Sequence, residues 1–92
     1  MERLYQLIVL ARSENQEAML KIIDICQPII KKYTRLLNYD EDYKSELVLT
    51  LITLVKKDMP IDAIRLRNDG AMLNYIKKVI HNKYIVFLKE QR

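Results

Sequence analysis

The fold is decided by the stretch Ser45-Glu46-Leu47-Val48-Leu49-Thr50-Leu51-Ile52-Thr53-Leu54-Val55-Lys56-Lys57-Asp58-Met59-Pro60. Its apolar side chains recur at spacings of three and four, which predicts an amphipathic helix over about residues 43–57. Pro60 ends this helix, because the residue before a proline avoids helical geometry. We expect the core to form on its apolar arc, which consists of Leu47, Val48, Leu51, Leu54 and Val55.

Three further segments show helical periodicity of apolar residues, at 2–12, 13–37 and about 71–89. The second begins with Ser13-Glu14-Asn15-Gln16, which fits a capping box with Ser13 as the cap. Pro28 lies inside this segment and removes a backbone donor there, so it predicts a kink or break near Asp24–Gln27.

The composition favours one small domain. The 92 residues are 50% hydrophobic and include one Gly, two Pro and one Cys. Such apolar content opposes disorder, and so few turn-forming residues oppose an all-β fold. We therefore predict an all-α fold, a compact bundle of four to five helices.

No stretch approaches the ~20 apolar residues that span a bilayer, so we expect no membrane contact. The lone Cys26 predicts a buried thiol in a reducing, cytoplasmic setting.

The positive charge is concentrated at one end of the sequence. Residues 1–64 contain nine Lys or Arg against ten acids, whereas residues 65–92 contain seven against two. The net charge of +4 therefore comes from the last loop and helix, and such a face attracts phosphate. A basic helix face kept solvated explains the charge equally well.

Groups that could carry catalysis are scarce. The single histidine, His81, is expected on a different helix from Cys26, and nothing supplies an orienting group for such a pair. Asp40-Glu41-Asp42 lacks the glycine and spacing of a calcium loop and fits helix capping instead. Gly70 is the single glycine, so there is no glycine-rich phosphate loop. We expect no enzyme, no cofactor and no metal site.

Three motifs occur in the order found in region 2 of bacterial sigma factors. Gln27-Pro28-Ile29-Ile30 resembles an Arg-Pro-Leu-Val/Ile stretch of that family. Ser45-Glu46-Leu47-Val48 resembles the Asp/Glu-Asp-Leu-Val/Ile start of its core-binding helix, with Leu49 where the family usually has Gln. Residues 74–83 resemble its promoter-reading helix, with Asn82 at the recurrent Asn. Residues 4–12 and 37–39 look closest to the alternative sigma factors that switch on clostridial toxin and bacteriocin genes.

The resemblance implies two partners. Region 2 of these factors docks on the clamp helices of the β′ subunit of RNA polymerase, and it captures unpaired non-template bases of the promoter −10 element. The polymerase would contact the helix at about 43–57, and the promoter would contact the loop and helix at about 61–92. An anti-sigma protein is a further partner that the resemblance suggests. We expect residues 1–92 to form region 2 alone, without the region 4 domain that reads the −35 element.

Specific residues follow from this correspondence. The polymerase-facing residues would be Glu46, Leu49, Thr50, Thr53, Lys56 and Lys57. On the promoter side, basic residues would track phosphates, while Asn and Tyr would bond to or stack on unpaired bases. This nucleic-acid-binding set comprises Arg65, Arg67, Asn68, Asn74, Tyr75, Lys77, Lys78, His81, Asn82, Lys89 and Arg92.

Two alternatives stay open. The chain could be a helical adaptor that mimics region 2 on the polymerase without reading DNA, and salt-sensitive strand binding would distinguish the two. A helix-turn-helix repressor, which would prefer duplex DNA, ranks last because no short, glycine-containing turn between two helices is obvious.

Overall fold

The computed structural model describes residues 3–62 and 68–90. Within those ranges the chain forms five α-helices and no strand, which confirms the predicted all-α bundle. No helix among the described residues is both long and apolar enough to cross a membrane. The elements are α1 (Arg3–Arg12), α2 (Gln16–Ile25), α3 (Gln27–Leu36), α4 (Glu41–Thr53) with a π-helical turn (Leu54–Asp58) after it, and α5 (Asp69–Glu90).

Helix α4 lies at the centre of the bundle, where α2, α3 and α5 pack on it. Leu47 and Leu51 are completely buried, as the apolar arc predicted, and so is Val55 in the π-helical turn. Helix α5 begins two residues before its predicted start. It buries Met72 in addition to the predicted Ile76, Ile80 and Phe87, while the predicted core residues Leu73 and Tyr84 are half-buried.

The start of α2 differs from the predicted capping box. Asn15, not Ser13, is the cap: its Oδ1 accepts a hydrogen bond from the Ala18 amide at 3.0 Å. Ser13 belongs to the turn, and its hydroxyl donates backwards to the Val9 carbonyl. The turn between α1 and α2 consists of Ser13, Glu14 and Asn15. Glu14 has a left-handed φ of 67°, which reverses the chain before Asn15. The prediction of Ser13 as the cap was therefore wrong by two residues.

The break between α2 and α3 occurs where Pro28 predicted it. Cys26 ends α2 with φ −88° and ψ 2°, and Pro28 follows in the first turn of α3, where its missing donor costs nothing. The Cys26 side chain is completely buried, as predicted, and burial raises the pKa of its thiol to about 11. This cysteine is therefore a packing residue at the helix junction.

Arg12 joins the end of α1 to the end of the central helix. Its Nε donates to the Val55 carbonyl at 2.8 Å and its Nη2 to the Met59 carbonyl at 2.6 Å. At the other end of α1, the Leu4 amide donates to Asp69 Oδ1 of α5 at 2.8 Å. These bonds hold α1 against the end of the central helix and the start of α5.

The cap of α2 gives a first prediction. Replacing Asn15 with Ala should lower the free energy of unfolding by about 1 kcal/mol, because the Ala18 amide loses its acceptor. Ser13→Ala is the matched control and should change stability by less than about 0.5 kcal/mol, as expected at an exposed site. Urea unfolding followed by circular dichroism measures both values. The reverse order would restore Ser13 as the cap.

The buried thiol gives a second prediction. With a folded pKa of about 11 against an ordinary value of 9.0, Cys26 stays protonated in the folded chain while it ionises in the unfolded chain. Stability should therefore fall as the pH rises from 9 towards 11, since the unfolded state loses the proton first. Cys26→Ala should remove this part of the pH dependence. Identical curves for the two proteins would contradict the burial argument.

Candidate functional site

A groove runs between α4 and α5 and joins the two sets of residues singled out from the sequence. Its volume is about 390 Å³. Helix α4 contributes part of the predicted polymerase stripe, and α5 contributes one predicted promoter residue together with two others. The lining consists of Glu46, Leu49, Thr50, Thr53, Leu54, Asp58, Tyr75, Val79 and Lys83.

The predicted polymerase stripe is largely accessible. Leu49 is 56% exposed, and Glu46 and Thr53 are also exposed. Thr50 is half-buried, and its hydroxyl donates to the Glu46 carbonyl at 2.8 Å, so it packs along the helix. These four residues form one continuous strip beside the groove.

The two lysines of that stripe lie apart from the groove. Lys56 lines a different depression, formed by the α1–α2 turn and the end of α4, and its Nζ is 3.9 Å from a carboxylate oxygen of Glu14. Both side chains of this pair are well exposed, so the interaction contributes little. Lys57 is exposed on the π-helical turn. The stripe therefore divides into a groove strip and two terminal cations.

Helix α5 presents a polar, basic surface to solvent. On α5, the exposed members of the predicted nucleic-acid set are Asn74, Lys77, Lys78, His81, Asn82 and Lys89. Tyr75 differs from them, because it is half-buried and its side chain lines the α4–α5 groove. Arg65, Arg67 and Arg92 lie outside the described residues. The roles of the whole set stay predictions.

Asn68 has a structural role that the sequence analysis did not identify. Its Oδ1 accepts a hydrogen bond from the Ala71 amide at 2.8 Å, and its carbonyl accepts from the Met72 amide. Asn68 is therefore the N-cap of α5, which satisfies an amide that the first helical turn leaves unpaired. The side-chain oxygen is already engaged, so a base contact through it would compete with the cap.

His81 is held by a tyrosine of α3. The hydroxyl of Tyr33 and Nδ1 of His81 are 2.9 Å apart, and their rings meet edge to face. Tyr84 packs on Tyr33 with ring centroids 5.1 Å apart. Burial, with a smaller effect of Tyr84, raises the pKa of Tyr33, so this phenol stays protonated. The contact fixes the His81 ring on an otherwise exposed surface.

Within the described ranges, no three His, Cys, Asp or Glu side chains group together as metal ligands.

Lys83, Val79 and Asp58 line the groove but were not singled out from the sequence. Lys83 follows Val79 by four residues and precedes Phe87 by four, and its Nζ lies 5.5 Å from the Phe87 ring centroid. Spacing of four places side chains on one helix face, so this pattern could have indicated a lysine held over an aromatic ring.

Comparison with known proteins adds family evidence. A sequence profile of the helix-turn-helix domain family matches residues 5–57, from α1 to the π-helical turn. The chain is 37% identical over 90 residues to a Clostridium perfringens protein named bacteriocin UviA, covering 89% of this chain and 48% of that protein. It is 34% identical over 85 residues to the RNA polymerase sigma factor TcsR of Paraclostridium sordellii, covering 92% and 48% respectively. The chain thus spans about half the length of these relatives. No solved structure matches it.

The family match supports a helix-turn-helix domain, for which the sequence showed no obvious glycine-containing turn; the repressor alternative itself stays a prediction. Within residues 5–57 the structure has two tight turns between helices that contain no glycine. Glu14 takes a φ of 67° between α1 and α2, and Asn38 and Tyr39 take 60° and 59° between α3 and α4. Left-handed turns usually contain glycine, so the missing glycine was the wrong criterion here.

The cap of α5 gives the third prediction. Asn68→Ala should lower the free energy of unfolding by about 1 kcal/mol, because the Ala71 amide loses its acceptor. Asn68→Asp should keep most of the stability, since a carboxylate accepts the same bond and is favoured at a helix N-terminus. Thermal unfolding compares the two. Unchanged stability in Asn68→Ala, together with weaker DNA binding, would return Asn68 to the role of a strand contact.

Proposed function

Because the chain belongs to the helix-turn-helix domain family, whose profile matches residues 5–57, we propose that it is a DNA-binding transcription regulator of the alternative sigma-factor type. A relative that aligns over most of the chain is named an RNA polymerase sigma factor. The motif order in residues 27–83 supports a more specific role: the chain acts as region 2, binding the polymerase core and opening the promoter −10 element.

The observation that carries this proposal is the α4–α5 groove. It brings the exposed strip of α4 next to Tyr75, which belongs to the segment resembling the promoter-reading helix. A protein partner on Leu49 and a DNA strand near Tyr75 would then be neighbours. This proximity suits a factor that opens DNA only when it is attached to the polymerase.

The polymerase contact is proposed to form on α4. Leu49 supplies an exposed apolar side chain, and Glu46 and Thr53 flank it with polar groups. An apolar centre with a polar rim is the usual anatomy of a protein interface. The clamp helices of the β′ subunit would lie along this strip. The substitution of Leu for the family's usual Gln makes the contact more apolar.

The promoter contact is proposed to form on α5. Lys77 and Lys78 are exposed side by side, and Asn74 and Asn82 flank them. Lysines attract the phosphates and release counterions, whereas the amides can bond to the edges of unpaired bases. In this proposal the lysines bind the strand through its phosphates, and the asparagine amides recognise its bases.

The fourth prediction tests the polymerase contact. Glu46→Lys should weaken binding of the chain to the isolated β′ clamp helices about tenfold, and Thr53→Ala should weaken it less, because charge reversal in an interface costs more than loss of one hydroxyl. Asp24→Lys is the control, since it makes the same change of charge on the exposed end of α2. Calorimetry or anisotropy measures the affinities. Equal binding by all four proteins would overturn the assignment.

A DNA measurement separates this function from an adaptor. With core polymerase present, a −10-like single strand should bind the complex with an affinity that falls steeply with salt. Lys78→Ala should reduce both the affinity and the salt slope. Polymerase binding without salt-sensitive strand binding would favour an adaptor that mimics region 2.

A further inference from the structure

A second groove lies on a different face, formed by α3, the turn after it and the start of α4. Its volume is about 560 Å³, larger than that of the α4–α5 groove. It contains none of the residues that the sequence analysis assigned to a partner. The lining consists of Pro28, Lys31, Lys32, Thr34, Arg35, Tyr39 and Lys44.

The charge of this basic groove is of one sign. Four of its lining residues are cationic and none is acidic. Lys31, Lys32, Arg35 and Lys44 are all exposed, and no carboxylate among the described residues forms an ion pair with them. Clustered cations in a concave surface raise the local concentration of anions. The groove is therefore suited to a polyanion.

The nearest acids in the sequence do not line the groove. Asp40 is occupied at the start of α4, where its Oδ1 accepts bonds from the Asp42 and Tyr43 amides at 2.9 and 3.3 Å. Glu41 and Asp42 lie in the first turn of α4, where a negative charge is favoured by the helix dipole. The span from Pro28 to Lys44 therefore has nearly balanced charge in the sequence, while the residues that line the groove are cationic or uncharged.

Tyr39 provides the second observation. The residue is 67% exposed, and its backbone has a φ of 59° directly after Asn38 at 60°. Positive φ is uncommon for a bulky residue and costs conformational energy. The Tyr39 amide donates to the Thr34 carbonyl at 2.8 Å, which fixes the turn. A strained turn thus holds an aromatic ring in solvent beside four cations.

We propose that the basic groove binds single-stranded nucleic acid, with phosphates on Lys31, Arg35 and Lys44 and one base stacked on Tyr39. A cationic groove with an exposed aromatic ring is the combination that recognises single strands, because their bases offer free faces that a duplex conceals. The groove uses none of the residues proposed to contact the polymerase or the promoter. The proposal for this groove can therefore be tested independently of the proposed function.

The experiment measures fluorescence anisotropy of a short labelled oligothymidylate titrated with the whole chain at low salt. Lys31→Glu should weaken binding about tenfold and lower the salt slope, since each lost phosphate contact removes about 0.7 from it. Lys21→Glu makes the same charge change on α2 and should change the affinity by less than about twofold. Equal weakening by the two variants overturns the proposal, because it would reflect net charge alone.

Tyr39 tests the stacking contact. Tyr39→Asn removes the ring while keeping a residue that tolerates positive φ, and it should weaken binding about tenfold. Tyr39→Phe keeps the ring and should bind like the original chain. Unchanged binding by Tyr39→Asn, or equally tight binding of the matching duplex, overturns the proposal. So does the absence of any strand binding at low salt.

A last variant separates the two nucleic-acid surfaces. In the oligothymidylate titration, Lys31→Glu should weaken binding more than Lys78→Glu on α5 does. The reverse order overturns the basic groove, whatever the outcome with polymerase and promoter. Circular dichroism of each variant verifies that the helices remain folded.

Discussion

The structure depends on which donors form hydrogen bonds with the last carbonyl groups of the central helix. In the π-helical turn the Met59 amide bonds to the Leu54 carbonyl, so the Val55 carbonyl would need the next amide along the chain. That residue is Pro60, which has no N–H. Arg12 supplies the missing donor and also bonds to the Met59 carbonyl. A buried carbonyl without a donor is costly, so α1 is required where α4 ends. The proline that stops the helix thereby fixes the position of α1.

The sequence predicted the elements whose causes are local. Periodicity located the buried Leu47 and Leu51, and Pro28 located the break after Cys26, because each pattern acts within a few residues. The predictions failed where the backbone conformation of a single residue determines which neighbour caps the helix. Ser13 and Asn15 are equally good caps by residue type, and the left-handed Glu14 selects the second.

The surfaces were harder to predict than the core, because they are assembled from distant segments. Counting charge along the chain placed the positive surface after residue 64. The same count did not reveal the basic groove, because Lys44 lies next to the acids at 40–42 in the sequence. In the structure Lys44 lines the groove, whereas those acids lie at the start of α4 and do not line it. Likewise, nothing in the local patterns places Thr53 opposite Tyr75; the packing of α4 on α5 does so. Lys83 reaches the groove through the same packing, although its spacing of four from Phe87 is a local pattern.

The two grooves share α4, and this has a mechanical consequence. Lys44, in its first turn, lines the basic groove, whereas Glu46 and Thr53 line the groove against α5. Between them Leu47 and Leu51 are completely buried, so α4 cannot rotate to favour one surface without disturbing the core. Occupants of the two grooves would therefore be held at a fixed separation by a rigid helix. A substitution in the core of α4 would affect both surfaces, while substitutions on Lys31 or Leu49 address each one separately.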